Sequence, residues 1–93
     1  MGSLDGKVAL ITGGAQGIGK TIARRFLKDG AAVAICDFNT GGAEDTAHEL
    51  SSIGTAKAYF MNVADEAVVN RAISEVLDDF GKIDILVNNA GIT

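Results

Sequence analysis

The sequence predicts an α/β fold: a parallel sheet held between two layers of helices, a three-layer sandwich. Three observations predict it. Unbroken apolar runs alternate with segments of helical periodicity, the joints between them are short, and every apolar run ends in a glycine-rich or polar turn. Strands buried on both faces read as continuous apolar runs, and parallel neighbours need a crossover that is usually a helix. Both patterns therefore point to one architecture, β-α-β-α-β-α-β.

Val8–Thr12 reads as the first strand, apolar until its closing Thr. From Gly17 to Asp29 the pattern turns helical. Ile18, Ile22 and Phe26 recur four residues apart with Ala23 and Leu27 beside them, Lys20, Arg24 and Lys28 point elsewhere, and Gly30 stands where a terminating glycine belongs. Ala31–Cys36 is the second strand, closed by Asp37. Asn39 or Thr40 caps a second helix through Ala43, Ala47 and Leu50 to about Ser52, with Gly54 beyond it. Ala56–Met61 is the third strand, followed by Asn62-Val63. Asp65 is placed to cap a third helix that buries Val69, Ala72, Ile73, Val76, Leu77 and Phe80 and stops at Gly81. Ile83–Val87 is the fourth strand, ended by Asn88-Asn89-Ala90-Gly91.

Right-handed crossovers then give the strand order 3-2-1-4, with the first two helices on one face and the third on the other. This is the first half of a Rossmann-type sheet, and the chain reads as one domain over residues 1–93. The step from the third strand to a place beside the first makes a switch point, where such sheets bind ligands beyond their carboxyl ends. Thr12–Gly17, Asp37, Asn62-Val63 and Asn88–Gly91 all fall on that edge, which predicts a single shared site.

Composition narrows the function classes. The chain has 93 residues, 47% of them hydrophobic and 22% charged, as an ordinary globular core requires. A net charge of −4 and a pI near 4.7 speak against nucleic acid, whose phosphates call for a basic stripe. No apolar stretch reaches the roughly 20 residues that cross a bilayer. The start, Met1-Gly2-Ser3-Leu4-Asp5-Gly6-Lys7, has no signal-peptide pattern, and Lys7 stands where a myristoylation signal wants Ser or Thr. One cysteine, Cys36, reads as a small buried residue in a reduced, cytoplasmic setting.

Thr12-Gly13-Gly14-Ala15-Gln16-Gly17-Ile18-Gly19 joins a strand to a helix. Turn glycines let backbone N–H groups approach an anion, and the helix start adds partial positive charge, so the segment is built for a phosphate. With Asp37, Asn62-Val63 and Asn-Asn-Ala-Gly at Asn88–Gly91, this Thr-Gly-x-x-x-Gly-x-Gly pattern resembles the short-chain dehydrogenase/reductase family. The resemblance spans the whole chain but only the N-terminal, cofactor-binding portion of that family.

Gly13 permits the tight turn, Gly17 lets backbone approach a pyrophosphate, and Gly19 lets the helix pack closely on the sheet. Gln16 is placed to donate to a phosphate or ribose oxygen. Asp37 can accept from both hydroxyls of an adenosine ribose. A 2′-phosphate would face it: two like charges about 4 Å apart at an effective dielectric near 20 repel by about 4 kcal/mol. No Lys or Arg in Gly14-Ala15-Gln16 or Phe38-Asn39-Thr40 offsets this, so NAD is expected over NADP. The resemblance further implies that Asn62 meets the adenine amino edge with Val63 beside it. Many relatives carry Asp there, so the amide is a departure. It also implies that backbone around Asn89 and Ala90 lies against the nucleoside sugar while the Asn amides tie the central strands together. The expected cofactor-binding set is Gly13, Gln16, Gly17, Ile18, Gly19, Asp37, Phe38, Asn62, Val63, Asn89, Ala90 and Gly91.

A rival motif overlaps the first. Gly14–Thr21 fits G-x-x-x-x-G-K-[ST], the phosphate loop of ATP- and GTP-hydrolysing proteins, with Val33–Asp37 as the accompanying apolar strand and Asp. That reading wants the helix to begin near Lys20 and gives Thr12-Gly13 and Asn88–Gly91 no task. His48 has no partner at ligand spacing, so no metal site is expected.

The resembled family interconverts alcohols and ketones with a Tyr-x-x-x-Lys pair, a Ser, and an Asn on the helix after the fourth strand. Tyr59 is followed at that spacing by Val63, and Ser51, Ser52 and Ser74 lie on helices away from the site, so no catalytic residue is assigned. The expectation is a truncated NAD-dependent oxidoreductase whose parent acts on an alcohol/ketone pair. The alternative is a stand-alone nucleotide-binding module without turnover. An apolar fourth strand at the sheet edge predicts self-association or a homo-oligomer.

Overall fold

The computed structural model describes residues 2–90. Four strands, β1 (Val8–Thr12), β2 (Ala32–Asp37), β3 (Ala56–Phe60) and β4 (Ile85–Asn88), alternate with three helices, α1 (Gly17–Lys28), α2 (Thr40–Leu50) and α3 (Glu66–Phe80). The sheet is parallel with the order β3-β2-β1-β4. Leu10 of central β1 lies opposite Ala34 of β2 and Leu86 of β4, and Cys36 opposite Tyr59 of β3. The expected topology is therefore observed.

Alternating side chains divide the core into two layers. Ala9, Ile11, Val33 and Ile35 point to one face and pack with Ala23 and Leu27 of α1 and Ala43, Ala47 and Leu50 of α2. Leu10, Ala34 and Cys36 point to the other and pack with Ala72 and Val76 of α3. Every residue of β1 is buried, which is why its sequence shows no alternation.

Local chemistry sets the boundaries. Asn39 Oδ1 caps α2 by accepting from Gly42 N at 2.9 Å. Asp65 Oδ1 caps α3 by accepting from Ala67 N at 3.1 Å and Val68 N at 3.3 Å. The fourth strand begins two positions later than its apolar run, because Ile83 packs towards α3 and Asp84 substitutes for a strand residue. Its N–H donates to Val8 O at 2.8 Å, and its Oδ2 accepts from Val8 N at 2.8 Å. Ser51 and Ser52 fall just beyond α2, where their hydroxyls donate back to the carbonyls of His48 and Glu49.

Two apolar positions depart from expectation. The buried stripe of α1 is Gly19, Ala23 and Leu27, with Ile22 and Phe26 half-buried at its side; Ile18 is 64% exposed. Successive residues turn about 100° around a helix, so docking through Gly19 swings Ile18 outward. Leu77 of α3 is likewise exposed, one step off the stripe formed by Ala72 and Val76. Among the described residues, no helix is long and apolar enough to cross a membrane.

Candidate cofactor site

The glycine-rich turn leaves β1 at the carboxyl edge of the sheet. Gly13 (φ +66°) and Gly17 (φ +62°) both occupy the left-handed region that side chains avoid. Gly13 N–H donates to Cys36 O at 2.8 Å, which folds the turn back over the end of β2. Gly19 has an ordinary backbone but no room. A Cβ there would lie inside contact distance of Gly13 O and 2.8 Å from Asn89 Nδ2. The expected close packing of Gly19 is thus against the Gly13 peptide rather than against the sheet at large.

The end of β4 locks this turn from the other side. Asn89 Nδ2 donates to Gly13 O at 3.1 Å. Thr12 Oγ1 donates to Asn88 Oδ1 at 3.2 Å and accepts from Ala90 N at 3.1 Å. The Asn88-Asn89-Ala90 run therefore ties β1 to β4 at the switch point. Gly91 lies outside the described residues.

Helix α1 differs from its two companions at its start. Its N-cap, Gln16, makes no side-chain capping bond, whereas Asn39 and Asp65 cap α2 and α3. The first N–H groups of any helix lack intrahelical acceptors, so Gly17, Ile18 and Gly19 present theirs outward with the positive end of the helix dipole. A Cβ on Gly17 would meet nothing within 4 Å, so the surface at that turn is open.

Beside this helix start is a cleft of about 340 Å³ lined by Gly13, Cys36, Asp37, Phe38, Met61, Asn62, Val63 and Ala90. Six of the twelve expected residues meet there. Asn89 stands behind the cleft, holding Gly13, while Gln16, Gly17, Ile18 and Gly19 form the adjoining turn. Asp37 Oδ2 accepts from Ala15 N at 3.0 Å and its Oδ1 from Asn39 N at 2.9 Å, so two amides fix the carboxylate at the cleft wall. Phe38 is 69% exposed and rests near Phe60, with ring centroids 6.1 Å apart. Asn62 uses its Oδ1 to accept from Ala64 N at 3.0 Å, closing its own turn while lining the cleft.

Cys36 and Met61 were missed as cleft residues. Each ends an apolar run, and their side chains share the α3 face of the sheet. Strand-end position and period-two alternation together carried the signal. Burial, with the charges of Asp37 and Glu75, pushes the Cys36 thiol up to about 12, so the cleft floor is a neutral thiol at physiological pH.

Other groups point away from this site. Lys20 Nζ lies 2.8 Å from Glu49 Oε1 and Arg24 Nη2 3.1 Å from its Oε2, and Lys20 heads the causes that hold the Glu49 carboxyl below its ordinary range. Helix α1 begins three residues before Lys20, so the phosphate-loop reading loses both its helix start and its lysine. Tyr59 donates to Asp79 Oδ2 at 2.6 Å; burial first, then Asp79, raises its phenol above the ordinary value, the wrong direction for a proton donor near neutrality. A shallower depression on the β3 edge is lined by Glu75, Asp78 and Asp79, whose charges repel a dinucleotide.

With this geometry, comparison with known proteins gives one family. The family model for short chain dehydrogenase matches residues 7–93. Over 89 residues the chain is 48% identical to a sorbitol dehydrogenase of Cereibacter sphaeroides, covering 96% of this chain and 34% of that protein. A solved 3-ketoacyl-(acyl-carrier-protein) reductase from Brucella melitensis complexed with NADH is 46% identical, with a TM-score of 0.85 over 90% of this chain and 34% of that one. The RhlG/NADP active-site complex of Pseudomonas aeruginosa is 41% identical, with a TM-score of 0.84 over 94% of this chain and 35% of that one. The chain thus spans about a third of the length of the relatives it matches. The glycine turn, the carboxylate closing β2 and the Asn-Asn lock at β4 are accounted for together: the chain belongs to the short-chain dehydrogenase family.

Proposed function

We propose that this chain is the NAD(H)-binding portion, in one domain, of an oxidoreductase that interconverts an alcohol and a ketone. The observation that carries the reading is the uncapped start of α1, with Gly17 open to solvent, beside a cleft whose wall is the Asp37 carboxylate. The N–H groups of Gly17, Ile18 and Gly19 hold the diphosphate; Asp37 takes the adenosine ribose hydroxyls; Phe38, Asn62, Val63 and Ala90 border the base and sugar. Gln16 flanks the same edge. NAD supplies hydride transfer, and the residues here bind and orient it.

The relatives include proteins solved with NADH and with NADP, so the preference for NAD rests on Asp37. Its carboxylate is held by two amides, and neither Phe38-Asn39-Thr40 nor Gly14-Ala15-Gln16 brings a cation to offset a 2′-phosphate. Among these residues Tyr59 lacks a Lys four positions on, so the role assigned to them is to bind and orient the cofactor, in a cytoplasmic protein. The β4 edge mediates self-association.

Calorimetric titration with NADH, NADPH and Mg-ATP in parallel tests the assignment. NADH binds at least about tenfold more tightly than NADPH, a difference of about 1.4 kcal/mol. Tighter binding of Mg-ATP than of NADH would return the site to the phosphate-loop reading.

A further inference from the structure

We propose that Thr46, on α2 and outside the cleft wall, is a positioning residue for the cofactor: acting through Ala15, it holds Asp37 in the orientation that receives the ribose. The inference rests on the NAD-binding reading above. Thr46 is 3% exposed, in a layer otherwise filled by Ala43, Ala47, Leu50 and other apolar side chains. A buried hydroxyl is costly unless bonded, and valine would fill the same volume. The hydroxyl is bonded: Thr46 Oγ1 donates to Ala15 O, in the middle of the glycine-rich turn.

Ala15 is gripped at both its polar groups. Its carbonyl takes the Thr46 hydroxyl, and its N–H donates to Asp37 Oδ2 at 3.0 Å. The other carboxylate oxygen, Oδ1, accepts from the N–H of Asn39, the N-cap of α2. Helix α2 therefore orients the Asp37 carboxylate by two routes, directly from Asn39 and indirectly from Thr46 through Ala15. Ala15 is itself buried, and a Cβ on Gly42 in the first turn of α2 would lie 3.4 Å from its Cβ. The next residue, Gln16, is the extended N-cap of α1, so a rotation of the Ala15–Gln16 peptide also displaces the diphosphate-facing turn. Without the Thr46 hydroxyl, the Ala15 carbonyl must seek another donor, its N–H leaves Asp37, and the carboxylate gains rotamers that do not face the ribose.

The test is calorimetric titration of the full chain with NADH, for the unaltered protein, Thr46→Val, Thr46→Ser, Asp37→Asn and the Asp37→Asn/Thr46→Val pair, each checked for folding by circular dichroism. Thr46→Val weakens NADH by about tenfold, Thr46→Ser stays within about twofold of the unaltered chain, and Thr46→Val adds less than about twofold once Asp37 is already Asn. A merely structural role lowers the unfolding temperature and leaves the affinity of the folded variant in place. Equal affinity in folded Thr46→Val, failure of Thr46→Ser to restore it, or the same loss in the Asp37→Asn background overturns the proposal. Should Thr46→Val not fold, amide exchange on the unaltered chain decides: the Ala15 N–H is protected before cofactor is added, and exchange at the rate of an open loop overturns the clamp. An unaltered chain that binds no NADH sinks the NAD-binding reading and this inference with it, and that outcome is visible before any substitution is made.

Discussion

Gly17 and Gly19 are the same residue type for different reasons, and alanine separates them. At Gly17 the constraint is the backbone, φ +62° with open space where a Cβ would go. Gly17→Ala therefore costs about 1–2 kcal/mol of stability through left-handed strain. On the proposed reading its methyl also stands where the diphosphate approaches, so NADH affinity is expected to fall by at least about tenfold, more than strain alone predicts. At Gly19 the constraint is contact with Gly13 O, backbone against backbone, which cannot yield like a flexible side chain. Gly19→Ala costs about 1–3 kcal/mol by overpacking and loses stability and binding together. Thermal unfolding and titration on both variants check the contrast. The turn at Gly13 and a close approach at Gly19 were legible from spacing, because both are local demands; the left-handed backbone of Gly17 and the identity of the peptide that Gly19 meets were not. The exposure of Ile18 was not legible, because it depends on which face of α1 docks. Cofactor choice belongs to this scale too: if Asp37 selects NAD as proposed, Asp37→Ser removes the charge that opposes a 2′-phosphate, and titration is expected to show the NADPH-to-NADH affinity ratio rising by at least about tenfold.

At the scale of elements, the strand-to-helix joints are where sequence and structure agree most closely. Asp65 caps α3 as its position foretold, and of the two candidates for α2 it is Asn39, not Thr40, that caps, since capping needs only an oxygen two or three residues ahead of an N–H. The start of β4 was less legible. Nothing in Ile83-Asp84-Ile85 says that Asp84 will bind Val8 on β1, seventy-six positions away. That contact has a pH signature. The Val8 N–H, then Lys82, hold the Asp84 carboxyl below its ordinary value of 3.8. A folded-state value lowered in this way contributes stability above the unfolded value and loses it as pH falls towards the folded one. The midpoint of urea unfolding therefore declines below about pH 4, and Asp84→Asn flattens the part of that decline that Asp84 carries.

At the scale of the molecule, the sheet order β3-β2-β1-β4 was legible because crossover handedness and continuous apolar runs leave few alternatives. The shape of the cleft was less so: it takes the register of all four strands to bring Cys36 and Met61 beside Asp37, Asn62 and Ala90. Among the described residues, β4 pairs only with β1, and Leu86, 65% exposed, opens on an apolar groove of about 210 Å³ shared with Val69 and Ile73 of α3. An unprotected strand edge beside apolar surface invites pairing. Sedimentation at tens of micromolar is expected to show dimers or larger species, shifted towards monomer by Leu86→Lys; a monodisperse monomer of the unaltered chain contradicts this.

The central claim is that a dinucleotide diphosphate sits at the start of α1 with its adenosine against Asp37. A crystal structure of the chain with NADH tests it most directly. The account predicts phosphate oxygens within hydrogen-bond distance of the amides between Gly17 and Gly19, and ribose hydroxyls on the Asp37 carboxylate. Density for the cofactor anywhere else, or a ribose turned away from Asp37, contradicts it.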